Sequence, residues 1–215
     1  MQVISTNIGN PTKVKWNEKE YLTGIYKKPV SESIFLDVED VNNDHVMDRR
    51  VHGGKDKACY VFSDKHYPYW KKLYPELEWN WGMFGENLTI SDLDESQIFI
   101  GDIYQIGEAV VQISQPRQPC FKFGIKFNTQ HVLKQFVEYG YSGVYLRVIE
   151  KGRVKTNDKM ELIKKEADSL SIKDIFRLIY QADRSDKTLA LKALKIPSLA
   201  QSCINDLRQH WKIEV

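Results

Sequence analysis

A change in hydrophobic periodicity near Glu166 is the feature that most constrains the fold of this 215-residue chain. Before it, short segments rich in β-branched and aromatic residues are separated by Gly, Pro, Asn and Asp, a pattern typical of strands and turns. After it, apolar residues recur about every 3.6 positions, as on one face of a helix. The sequence therefore predicts a β-rich domain over residues 1–165 and a helical subdomain over residues 166–215.

The first part predicts a mainly β, α+β fold: a mostly antiparallel β-barrel covered by a few helices. Two helices are expected, near residues 64–74 and 129–139, where apolar residues form a stripe. The segments predicted as strands are Val3–Ile8, Tyr21–Tyr26, Ile34–Val38, Ala58–Ser63, Asn87–Ile90, Asp102–Ile106, Ala109–Ser114 and Gly143–Glu150.

Helix start and stop signals divide the second part into three helices. Ser171 and Asp174 have the spacing of a capping box, and Ser185 can cap a second helix. Pro197 ends that segment, and Ser198 begins a third. We expect a small three-helix C-terminal subdomain.

The composition argues against several classes of partner. The net charge is +2 and both signs are well mixed, whereas binding to nucleic acid by counterion release favours a strongly basic surface. The first residues lack the basic and apolar regions of a signal peptide, and no window approaches the roughly 18 to 20 apolar residues of a membrane span. We expect a cytoplasmic protein that binds neither nucleic acid nor membrane.

The three cysteines are far apart and have no CxxC spacing, which argues against a disulfide framework and a structural zinc site. Cys59 lies in a strand-like segment and Cys203 on a helical apolar stripe, so both are predicted to be core residues. Cys120 differs, because Pro116 and Pro119 stiffen the loop before it and Arg117 and Lys122 flank it. Positive neighbours favour the thiolate, which binds soft metals or attacks electrophiles. The alternative is a buried small hydrophobe.

A second cluster contains Arg50, His52, Gly53 and Gly54, and its backbone amides and cations could cradle an anion. The alternative is a charged hairpin turn. Lys27 and Lys28 could add charge at a pocket rim, or could belong to a solvated strand end. Asn87 follows a glycine-rich turn and can both donate and accept hydrogen bonds. Arg147 interrupts an apolar strand and needs an anionic partner, either a ligand or an internal carboxylate. The aromatic run at residues 66–70 favours core packing over a stacking platform.

Six stretches follow one another along the sequence: Gly24–Pro29, Arg50–Ala58, Phe84–Thr89, Ile100–Asp102, Val111–Cys120 and Gly143–Val148. Together they resemble the MOSC domain family (the molybdenum cofactor sulfurase C-terminal domain), in its stand-alone bacterial YiiM-like branch. The tail resembles the three-helix module that often follows this domain.

The resemblance implies a MOSC-type β-barrel in which Cys120 is the catalytic residue and the metal ligand of a molybdenum cofactor, molybdopterin-bound molybdenum. Related enzymes reduce N-hydroxylated compounds, such as hydroxylamino-purines and amidoximes, to amines, which removes toxic N-hydroxylated bases. Their electrons come from a separate partner, a flavoprotein or similar reductase. The implied cofactor-binding residues are Lys27, Lys28, Arg50, His52, Gly53, Gly54, Asn87, Arg117 and Arg147.

The sequence departs from the family at one position and leaves the function open. Mitochondrial amidoxime reducers have Arg-Pro-Asn where this chain has residues 85–87, so one arginine is missing, and Arg117, Arg147 or Arg50 could replace its charge. Three functions remain: a molybdenum-dependent reductase, a non-catalytic carrier or sensor of cofactor or sulfur, and a thiol enzyme using Cys120 with His52 as base. A homodimer is one option for the assembly.

Overall fold

The computed structural model describes residues 1–49 and 52–213, and its elements follow the predicted change from strands to helices. The helices are α1 (Tyr67–Leu73), α2 (Phe121–Lys126), α3 (His131–Tyr139), α4 (Ile172–Tyr180), α5 (Lys187–Ala193) and α6 (Gln201–Trp211). The strands are β1 (Gln2–Gly9), β2 (Thr12–Trp16), β3 (Lys19–Thr23), β4 (Lys27–Val30), β5 (Ile34–Leu36), β6 (Cys59–Ser63), β7 (Leu88–Ser91), β8 (Ile103–Ile106), β9 (Ala109–Pro116), β10 (Val144–Glu150), β11 (Gly152–Val154) and β12 (Met160–Lys164).

An eight-stranded sheet dominates the fold, in the order β12-β8-β9-β10-β6-β7-β1-β4. Its neighbours are antiparallel except for β6 and β7, which are parallel. Two smaller antiparallel pairs, β5–β11 and β2–β3, lie beside it. The predicted α+β class is confirmed.

The predicted barrel is wrong in one respect, because the described strands do not form a closed ladder. Along β1, the residues from Thr6 to Gly9 pair with β4, so only the start of β1 can meet the far edge of the sheet. There the start of β1 meets residues 157–160 through an isolated bridge between Gln2 and Lys159 and through backbone hydrogen bonds of Met1 and Val3 at 2.8 to 3.1 Å. The two ends of the sheet therefore touch, but no continuous ladder joins β1 to β12.

Both faces of β6 are buried, and its alternating side chains separate two cores. Cys59 and Val61 lie in an aliphatic core that also contains residues of α4, α5 and α6. Tyr60 and Phe62 point into an aromatic core shared with α1, α2 and α3, where Trp70 is fully buried. The core prediction for the aromatic run at residues 66–70 is therefore confirmed for Tyr67 and Trp70, whereas Tyr69 is 45% exposed.

Most predicted elements are present, and the differences have local causes. The predicted strand Tyr21–Tyr26 is confirmed only as far as Thr23, where β3 ends, and β4 begins beyond it at Lys27. The chain leaves β3 at Gly24, where a side chain would lie 1.8 Å from the carbonyl oxygen of His45. That close approach turns the chain away from a straight strand. The predicted capping box is confirmed, since Ser171 and Asp174 cap α4 reciprocally. None of the helices in the described part of the chain has the length and apolar character needed to cross a membrane.

Candidate functional site

A pocket opens where the Cys120 loop, the start of β6 and the segments at residues 23–27 and 44–48 meet. Its cavity volume is about 100 Å³. The Cys120 thiol and the cations Arg117 and Lys122 come from one segment, residues 117–122, whereas Lys27 and Lys57 come from other parts of the chain. The polar residues that line it are Thr23, Lys27, Asp44, His45, Asp48, His52, Lys57, Tyr60, Asn87, Arg117, Cys120, Lys122 and Tyr145.

The Cys120 thiol lies at the pocket wall, immediately before α2, and its environment favours the thiolate. Burial opposes ionisation, but a hydrogen bond with His52 and the positive charge of Arg117 outweigh it and lower the pKa of Cys120 to about 6. The other two cysteines are fully buried, and burial raises the pKa of both Cys59 and Cys203. The prediction that these two are core residues is confirmed, and Cys120 is the reactive thiol.

In the cofactor-free protein, we expect alkylation of Cys120 by iodoacetamide to be half-maximal at about pH 6, because only the thiolate reacts. The rate should fall as the pH drops through this value and should be level above it, whereas an ordinary thiol titrates at about 8.5. A His52→Ala variant should shift the midpoint upward. A Cys120→Ser variant provides the blank. An unchanged midpoint in the His52 variant would contradict the assigned hydrogen bond.

Arg117 lines the pocket, and its buried guanidinium lacks a full set of partners among the described residues. Only 4% of the residue is exposed, and within the described residues its Nη1 atom has no hydrogen-bond acceptor. Aromatic rings support it instead, with its Cζ atom 4.5 Å from the Phe123 ring centroid and 5.2 Å from that of Phe136. A buried donor without an acceptor is costly, so this site is suited to an anionic or carbonyl group of a ligand.

Lys27 and Asn87 also line the pocket. Both side chains bind Asp44, an acidic residue that no sequence pattern had indicated. Asp44 forms an ion pair with Lys27 and accepts a hydrogen bond of 3.0 Å from Asn87 Nδ2. The other oxygen of Asp44 accepts the Gly9 amide at 2.8 Å. The charge of Lys27 is therefore compensated, and both side chains are held in place before any ligand arrives.

Only part of the predicted anion-binding cluster, residues 50–54, lines the pocket. His52 and Gly53 line it, and Gly53 has a φ of 73°, a conformation that strains other residues. Gly54 does not line the pocket, because its amide donates to the carbonyl of Glu39 at 3.1 Å. Arg50 lies outside the described residues.

Two further predicted cofactor residues are corrected by the structure. Lys28 is exposed and points away from the pocket, because successive side chains of β4 alternate between faces. Arg147 pairs with the carboxylate of Asp56, 2.6 Å from its Nη2 atom, and also bonds Gln112 on the adjacent strand. Its anionic partner is thus an internal carboxylate and not a ligand, which was one of the two alternatives from sequence.

Several lining residues carried no recognisable signal in the sequence. Tyr60 and Tyr145 lie on adjacent strands, with ring centroids 5.3 Å apart, and their strand pattern is that of ordinary core aromatics. Asp44 belongs to a loop, where an acidic residue is usually exposed. At Gly85, which lines the pocket, the following Glu86 is fully buried and accepts the amides of Gly82 and Phe84, so it does not present its charge to a ligand.

The donor set of the pocket fits a molybdenum cofactor. It contains the Cys120 thiol, whose surroundings favour the soft thiolate, and Arg117, whose buried Nη1 has no acceptor among the described residues. Among the described residues, no three His, Cys, Asp or Glu side chains converge as a metal cage. A metal held by Cys120 would therefore need other ligands from a bound cofactor, as a dithiolene supplies.

Comparison with known proteins assigns this fold and pocket to a family. The model of the MOSC domain matches residues 48–161, just over half of the chain. The protein YflK of Bacillus subtilis (strain 168) is 36% identical over 200 residues, 93% of this chain and 90% of that protein. A reductase of Gibberella moniliformis is 29% identical over 174 residues, which cover 80% of this chain but 31% of the reductase.

The chain belongs to the MOSC domain family, whose domain is associated with binding of the molybdenum cofactor. Within the family, its fold is that of a YiiM-like protein. The crystal structure of YiiM from Geobacillus stearothermophilus superposes with a TM-score of 0.81 at 29% identity, over 98% of each chain.

Proposed function

We propose that this protein binds the molybdenum cofactor in the pocket at Cys120 and reduces N-hydroxylated compounds to amines. The substrate class comprises hydroxylamino-purines and amidoximes, and the activity would serve in the cytoplasm to remove N-hydroxylated bases. In the overall reaction the N–O bond breaks, two electrons and two protons are consumed, and the amine and water are formed. The similarity to a reductase supports this direction of the chemistry.

One observation carries the proposal: Cys120, whose surroundings favour the thiolate, and Arg117, whose buried Nη1 atom has no acceptor among the described residues, line the same cavity. Cys120 would hold the metal through sulfur, since a soft thiolate suits a soft, redox-active centre. Arg117 would bind the phosphate or a pterin carbonyl, and would supply the charge of the arginine missing at Gly85. When bound, the cofactor supplies the two-electron chemistry, while the protein orients it and tunes it.

The remaining lining residues would hold the cofactor and exclude water. Lys27 and Asn87, fixed by Asp44, would present a preorganised wall, which reduces the entropy lost on binding. His52 would keep Cys120 ionised until the metal is bound, and the backbone at Gly53 would approach the anionic part of the ligand. The electrons would come from a separate flavoprotein or similar reductase.

The test begins with protein made in a host that synthesises the cofactor. Molybdenum and pterin should be present at close to one per chain by elemental analysis and fluorescence. The purified protein should then convert a hydroxylamino-purine and an amidoxime to their amines with an artificial electron donor, and with a flavoprotein reductase in its place. Absence of molybdenum from such protein would overturn the proposal.

The same experiment separates the alternatives. A protein that holds molybdenum but reduces neither substrate with a strong donor would be a carrier or sensor. Activity that survives complete removal of molybdenum would identify a thiol enzyme, for which the pair Cys120 and His52 provides an activated nucleophile.

A further inference from the structure

The last helix, α6, is bonded to the end of the strand from which the Cys120 loop departs. The amide of Ala200 donates to the carbonyl of Ser114 at 3.1 Å. Two residues further along, the hydroxyl of Ser202 donates to Oε1 of Gln115 at 2.9 Å. Gln115 is 1% exposed, so this contact lies between the sheet and the C-terminal helices and not on the surface.

A third contact reaches the loop itself. Nε2 of Gln118, two residues before Cys120, donates to Oδ2 of Asp206 at 2.7 Å. This hydrogen bond between two partly buried side chains attaches α6 to the loop. Asp206 also lies close to Lys57 of the pocket wall, where burial lowers the pKa of the lysine and the Asp206 charge opposes that effect.

The loop at residues 117–120 depends on such side-chain contacts because its backbone is weakly bonded. Pro116 and Pro119 have no amide hydrogen to donate. The amide of Arg117 lies 3.4 Å from the carbonyl of Gly143, beyond the usual range of roughly 2.7 to 3.2 Å.

We propose that Asp206 is a positioning residue for the candidate site: through Gln118 it holds the loop that places Cys120 at the pocket wall. The C-terminal helices would then serve the site directly, although they lie outside the residues 48–161 that match the MOSC domain. The consequence for molybdenum rests on the proposed function, whereas the hold on the loop does not.

The experiment measures alkylation of Cys120 in the cofactor-free, full-length chain, by mass spectrometry of its peptide at pH 8. All variants are compared at this one pH, so a difference in rate reports how firmly the loop holds Cys120 at the pocket wall. Asp206→Ala and Gln118→Ala should each raise the rate about fivefold, the factor that an ordinary hydrogen bond supplies. The double variant should show no further increase, because both changes remove one contact.

Two variants separate positioning from general stability. Asp206→Asn keeps an acceptor oxygen for Gln118 and should restore a rate close to that of the parent. Asn205→Ala is the matched control, because Asn205 is exposed on the same helix and bonds only Gln201 Nε2 at 2.9 Å among the described residues; its rate should not change. Melting temperatures of all variants, measured alongside, should stay within a few degrees.

Unchanged alkylation in both alanine variants would overturn the inference, and so would failure of the asparagine variant to restore the rate. In protein from a cofactor-producing host, Asp206→Ala should retain about fivefold less molybdenum after dialysis, by the same factor. The alkylation rates could change as expected while the parent and all variants lack molybdenum. In that case the positioning role stands and the proposed function fails.

Discussion

Replacing Cys120 with serine is expected to abolish molybdenum retention and all activity that depends on it, while the fold stays intact. A hydroxyl is a harder and far less acidic ligand than a thiol, and the pocket offers the metal no second thiol. Molybdenum per chain and turnover should be measured on the same samples, with circular dichroism to follow the fold. Full activity in the serine variant would contradict the assignment of Cys120 as the metal ligand.

The chain contains two matched controls for this substitution. Cys59 and Cys203 are both buried in the aliphatic core. Their replacement by alanine should lower the free energy of unfolding by about 1 kcal/mol, the usual scale of a single core change. Molybdenum content should stay at the parent value, and its loss from either variant at unchanged folding would show that Cys120 is not the sole protein ligand.

Replacing Arg117 with methionine is expected to weaken cofactor binding strongly and to change the stability of the fold only slightly. Loss of a charged hydrogen bond of about 1.5 to 3 kcal/mol should weaken cofactor binding roughly 10- to 100-fold. The cofactor-free fold should lose no more than about 1 kcal/mol, because methionine fills the apolar space between the Phe123 and Phe136 rings and removes a buried charge that is only partly compensated. Molybdenum content after dialysis and urea unfolding measure the two effects.

Arg147→Met is the matched control, because its guanidinium is also largely buried but lies outside the pocket. Asp56 would lose its partner, so the free energy of unfolding should fall by about 1 to 3 kcal/mol. Molybdenum per folded chain should not change. If Arg117→Met instead destabilises the protein as much as this control and binds the cofactor normally, Arg117 is a structural residue.

Local patterns in the sequence were sufficient for the class of fold and for the reactive cysteine. The strands, the helices α3 and α4 and the Ser171 capping box each depend on residues close together in the chain, so their signals are local. Cys120 could be distinguished from Cys59 and Cys203 because its prolines and cations are sequence neighbours. The strands β2, β4, β11 and β12 and the short helix α2 were missed, since none of them has a long periodic pattern.

Only the tertiary structure decided which polar residues form the pocket. Lys27 and Lys28 are equivalent in sequence, but the alternation of β4 places only the first against Asp44. Arg117 and Arg147 were both candidates for binding a ligand. Arg147 has Asp56 as its partner, whereas Arg117 has an Nη1 atom with no acceptor among the described residues. The sequence by itself determines the types of side chain and the secondary structure, because these follow from near neighbours. Charge pairing joins residues tens of positions apart, so the folded chain alone decides which cations remain available to a ligand.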